Sequence, residues 1–198
     1  MPEIDNERRV KAEKMIDAYR LLIDGYEFNG DTHDDGLVCS LDFLIHLAKD
    51  GELFTNGEKS LTWSESSQSK FIESMLMGMP MQPLFLRDRR ESESDRFGKL
   101  QVKDGAQRLL CIARFMKNEL VLRDLDLLSC MNGFTYKDLL EDRKHSFGLT
   151  PVRLIVFDRA SGFVERQFLQ EWMFETLNKW AQHWVIRRKN TSQQEVLS

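Results

Sequence analysis

No apolar run in these 198 residues approaches the roughly 18 that a membrane-spanning helix needs. The opening stretch, Met1 to Lys14, is charged and lacks the apolar segment of a secretory signal. Cysteine is scarce. Cys39, Cys111 and Cys130 stand far apart among apolar neighbours, form no metal-ligand pattern, and by their odd count argue against a disulfide framework. Reduced, buried thiols in a cytoplasmic protein are the expectation. Histidine is equally thin: His33, His46, His145 and His183 are scattered and form no His–Asn–His nuclease signature. Neither sign of charge dominates. A formal net charge of −4 does not advertise nucleic-acid binding, although a mean hides any local basic face.

What is present describes a soluble globular chain: 41% hydrophobic and 30% charged residues, long enough to bury a sizeable core. The expected organisation is an N-terminal helix and acidic linker over residues 1–36, one domain over 37–184, and a disordered, initially basic tail over 185–198. Val10, Met15, Ala18, Leu21 and Leu22 fall near one face of a helix over 7–23, which packs on the domain or on a partner. The linker Glu27–Gly36 carries His33 among Asp31, Asp34 and Asp35; a solvated acidic loop is the stronger reading over a metal site.

Within the domain, Ser40 or Asp42 can cap a short helix through Leu47 that ends near Gly51. Ser64–Ser67 precedes a helix with the stripe Phe71, Ile72, Met75 and Leu76, stopped by Gly78 and Pro80. Leu84–Leu86 and Leu100–Lys103 read as strands flanking a charged hairpin loop, Arg87 to Gly98; Arg87, Arg89 and Arg90 at its start suit phosphate backbone, and its acidic residues suit solvent equally. Leu120, Leu122, Leu125 and Leu127 suggest extended structure, and Tyr136–Lys144 a short helix. Pro151–Asp158 is a strand apolar on both faces, hence central. Val164–Trp184 is a final helix. The expected fold is therefore α/β (α+β): a small mixed sheet from strands near 84–87, 99–103 and 152–157, flanked by N- and C-terminal helices.

The chemistry concentrates between Leu100 and Met116. A short alternating strand runs into Asp104-Gly105, and a helical pattern (Leu109, Ile112, Ala113, Met116) follows. The first N–H groups of that helix lack internal partners, its dipole adds partial positive charge, and Arg108 adds a full one, so the turn suits a phosphate. Asp104 could hold a metal or a ribose hydroxyl, or polarise a water. The plain alternative makes Asp104 a helix cap and Arg108 a surface cation.

Asp104-Gly105-Ala106-Gln107-Arg108 resembles the Asp-Gly-Gln-Gln-Arg motif of the N-terminal domain of GmrSD-type restriction enzymes, within the wider ParB/sulfiredoxin-like fold. Trp63 and the helix–Gly–Pro–strand block Ser69–Leu86 resemble the same family upstream, and Gly133–Leu139 resembles the piece that follows its central helix. The resemblance is good over about Val38 to Arg108 and fainter to about Asn178. It implies nucleotide or nucleic-acid phosphate as partner, with Asp104 and Arg108 catalytic in a hydrolase. Gly105, Ala106, Gln107 and Arg108 would cradle phosphate, and magnesium at Asp104 would be the cofactor. Lys59, Trp63, Arg87 and Asn178 are candidate supporting residues. Two cations of the family pattern are absent: no Gln-Arg pair precedes Trp63, where Lys59 is the nearby cation, and Thr176 stands where the late helix should carry Arg. Weak or absent turnover follows, with a non-catalytic adaptor, or a DNA-binding or nicking protein, as alternatives.

Overall fold

The computed structural model describes residues 4–24 (21–24 in backbone alone), 37–55, 61–89 and 100–157. Contacts divide the chain into two compact units, Met1–Val156 and Phe157–Ser198. The first is α+β. The second lies beyond the described residues save Phe157, and with it the expected last helix, Asn178 and the tail. The linker 25–36, the hairpin loop 90–99 and Lys59 lie outside them as well.

The described elements are α1 (Asn6–Asp24), β1 (Leu37–Ser40), α2 (Leu41–Lys49), β2 (Leu53–Thr55), α3 (Glu65–Leu76), β3 (Leu84–Asp88), β4 (Leu100–Asp104), α4 (Ala106–Met116), α5 (Glu141–Gly148) and β5 (Pro151–Phe157). The five strands form one mixed sheet in the order β1-β5-β3-β4-β2. β1 runs antiparallel to β5, β3 antiparallel to β4, and β2 parallel to β4. Two edge strands thus join the three that the sequence announces, and β5, interior to the sheet as expected, buries Val152 and Leu154 but leaves Pro151, Arg153 and Val156 exposed rather than being covered on both faces.

Local chemistry explains the boundaries. The Ser40 hydroxyl accepts from Phe43 N–H at the start of α2, and the Ser64 hydroxyl from Ser67 N–H at the start of α3. Gly51 and Gly78 take positive φ just past the ends of these helices. Leu109, Ile112 and Phe115 put the buried stripe of α4 against the core, where Phe115, Tyr136 and Phe147 meet edge to face.

The Leu120–Leu127 alternation is irregular chain outside the sheet, bent at Asp124, Asp126 and Leu127, where the sequence suggested extended structure. Its N–H groups go elsewhere: Leu122 donates to the Phe134 carbonyl, and Asp126, Leu127 and Leu128 donate to the Glu73 carboxylate. The expected Tyr136–Lys144 helix divides into a 3₁₀ turn at Tyr136–Asp138 and α5. Asp138 accepts from both the N–H and the hydroxyl of Thr135, closing that turn, and Leu139 is extended.

α1 docks through charge as much as through Ala12 and Ile16, both buried. Arg8 donates to the carbonyls of Cys130 and Asn132, and the buried Arg143 pairs with Glu13 and Asp17. All three cysteines are free. Only Cys111 is fully buried; Cys39 and Cys130 are half-buried, which corrects the expectation of uniformly buried thiols.

Candidate functional site

β4 delivers the turn. Phe85 lies opposite Asp104 and Leu86 opposite Val102, so one step along β3 matches two along β4, and Lys103 is the extra residue of a bulge. The bulge re-aims the strand just before it ends. Gly105 then takes φ +97° at the N-cap position of α4. A Cβ there would stand 2.2 Å from Leu84 Cδ2 and 3.0 Å from Arg108 Nη2, so glycine answers both to the backbone angle and to the space. No side chain caps α4, and its first turn holds no acidic residue. Asp104 is therefore not the cap of the plain alternative.

Arg108 is not a surface cation either; it is 9% exposed. Nη1 donates to the Gln82 carbonyl; Nη2 donates to the Pro83 carbonyl at 3.2 Å and to Asp104 Oδ2 at 2.6 Å. Burial pushes the guanidinium down from its ordinary pKa, and Asp104 beside it opposes that shift. A buried cation is tolerable when charge-assisted hydrogen bonds replace lost water, and these do. Of the five N–H groups of an arginine, three are spent on these partners. The Asp104 side chain is 47% exposed, with Oδ1 left to other partners.

Gln107 faces another way. Its Oε1 accepts from Thr62 N–H at 2.8 Å, which fixes the chain next to Trp63. Trp63 meets Phe71 edge to face, and its carbonyl accepts from the buried Gln68, which in turn accepts from Arg114. Arg114 and Arg123 both reach Glu65. α3 and α4 are thus stitched by a polar seam starting one residue from the turn. Gly105 and Ala106 are both buried.

The fold therefore gathers Asp104, Gly105, Ala106, Gln107 and Arg108, and brings Trp63 beside them through Thr62. Arg87 stands opposite Gln101 rather than Asp104, and Arg89 donates to Gln101. Asp104 ends β4 and Arg108 lies in α4, so their ion pair is made across the Gly105 turn rather than along one helix face. The carbonyls of Gln82 and Pro83 have no sequence signature, because any residue supplies one.

Asp104 offers one protein ligand to a cation, with Oδ2 already on Arg108. Magnesium wants six oxygens and usually keeps waters and substrate phosphates, so an ion here would come with a nucleotide. Among the described residues no group of three or more His, Cys, Asp or Glu is arranged to hold a metal, and no helix is long and apolar enough to cross a membrane. Comparison with protein-family models, with curated proteins and with solved structures returns no match.

Proposed function

We propose that this chain is a phosphate-recognising domain akin to the N-terminal domain of GmrSD-type restriction enzymes, of ParB/sulfiredoxin-like fold, working in the cytoplasm. It takes nucleotide or nucleic-acid phosphate at the Asp104–Arg108 turn and hydrolyses it slowly or not at all. The observation that supports this reading is the turn itself: a left-handed glycine opening a helix without a side-chain cap, beside a guanidinium of whose five N–H groups three are taken by partners among the described residues. Magnitudes set the affinity. A helix N-terminus contributes about 0.3–1 kcal/mol and a hydrogen bond to a charged group about 1.5–3 kcal/mol. The sum corresponds to a dissociation constant of roughly millimolar or weaker, so tighter binding needs contacts to sugar or base.

Slow turnover follows from electrostatics. Phosphoryl transfer requires fixed cations around developing charge. Here Asp104 is ion-paired with Arg108, which leaves the pair nearly neutral, and the two other family cations are absent from the sequence. An adaptor protein is the second reading, favoured by the three internal hydrogen bonds that make Arg108 a staple.

Titration with each common nucleoside triphosphate, with and without magnesium, tests the proposal. Arg108→Lys keeps the charge but loses the fork, and a folded variant is expected to bind about tenfold or more weakly. Equal binding by parent and variant moves the site elsewhere. Multiple turnovers per minute that vanish with Asp104→Asn make the protein a working hydrolase.

A further inference from the structure

The carbonyls that hold Arg108 belong to a segment pinned at its other end by α1. α3 ends at Leu76, and Gly78, at φ +83°, turns the chain. Arg20 of α1 lies across this turn. Its Nε donates to the Leu76 carbonyl at 3.1 Å and its Nη1 to Ser146 Oγ at 2.8 Å. Its Cγ sits 3.4 Å from where a Cβ on Gly78 would stand. The chain then passes through Met79-Pro80-Met81-Gln82-Pro83 to β3. Two prolines in this stretch fix φ and leave little slack. A displacement at Leu76–Gly78 therefore reaches Gln82 and Pro83 rather than being absorbed on the way.

We propose that Arg20 is a positioning residue for Arg108, acting through this stiff segment, a role in phosphate recognition that rests on the reading of the turn given above. α1 then sets how firmly Gln82 and Pro83 hold the guanidinium. Arg20 touches neither the turn nor its ligand; it acts by clamping the backbone that supplies two of the three acceptors of Arg108.

The experiment uses the full chain and reads three signals: the Arg108 Nε–H resonance, the amide resonances of Met81 and Gln82, and ATP affinity. Arg20→Ala is expected to shift the Arg108 and the Met81 and Gln82 resonances and to weaken ATP binding. Arg20→Lys, which keeps one donor for Leu76, gives the same changes at smaller size and serves if the alanine variant does not fold. Asp17→Asn cuts an α1–Arg143 ion pair but spares Arg20, and is expected to move none of the three. Changes confined to α1 and Leu76–Gly78, with the Arg108 resonance unmoved, overturn the proposal. If these resonances move while ATP binds neither parent nor variant, the positioning stands and the phosphate reading fails.

Discussion

Two residues carry most of what can be tested one at a time. Gly105 is constrained twice, by its φ of +97° and by Leu84 Cδ2, 2.2 Å from where a methyl group would stand. Left-handed strain and overpacking each cost about 1–3 kcal/mol. Gly105→Ala is therefore expected to lower stability by about 2–4 kcal/mol, read from the midpoint of a urea titration. Cys111 is the second. Burial pushes its thiol from 9.0 up to about 12, against a smaller opposing pull from Arg114. The folded chain then keeps this proton at pH values where the unfolded chain has released it. The associated stability is fully present below about pH 9 and falls as pH rises toward about 12, at roughly 1.4 kcal/mol per pH unit. Stability curves between pH 8 and 11 are expected to be steeper for the parent than for Cys111→Ala. The sequence singled out Asp104 and Arg108 at the turn, but neither their pairing nor that Arg108 points inward. That depends on the backbone carbonyls of Gln82 and Pro83, which carry no side-chain signature.

Between elements, the buried Glu73 does what a strand partner would otherwise do. Oε1 accepts from Leu127 N–H at 2.7 Å and Leu128 N–H at 2.6 Å, and Oε2 from Asp126 N–H at 3.3 Å. This carboxylate ties an irregular segment to α3 and keeps it off the sheet. Each orphaned buried N–H costs about 1–3 kcal/mol, so Glu73→Ala is expected to destabilise by about 2–4 kcal/mol and to speed hydrogen exchange first at residues 126–128. Glu73→Gln should cost less, since one oxygen still accepts. Periodicity and capping signals revealed α1, α2, α3, α4, β3, β4 and β5 within a residue or two, although β3 buries Leu84, Phe85 and Leu86 in succession and β4 buries Gln101 beside Val102, where strict alternation placed Gln101 on the other face. They missed β1 and β2, of four and three residues, which are too short to establish a period. They left Leu120–Leu127 without a place, because a leucine alternation marks burial and says nothing of where the N–H groups go.

At the scale of the whole molecule, the sheet order β1-β5-β3-β4-β2 joins neighbours remote in sequence. Cys39 stands opposite Val152, with roughly 110 residues between. Closing so long a loop is a late event, because its entropy must be met before the contact returns anything. Val152→Ala removes buried apolar volume at this seam, at about 1–3 kcal/mol, and is expected to quicken unfolding while leaving the refolding rate nearly unchanged. A stopped-flow chevron distinguishes the two limbs, and a slowed refolding limb would place the β1–β5 seam in the nucleus. The same topology has a consequence during synthesis. At about 5–20 residues per second, β1 leaves the ribosome on the order of ten seconds before β5 exists. Through that interval Leu37 and Val38, 63% exposed even in the finished fold, lie on a strand with neither edge matched. The nascent chain is then most open to chaperones and to wrong partners.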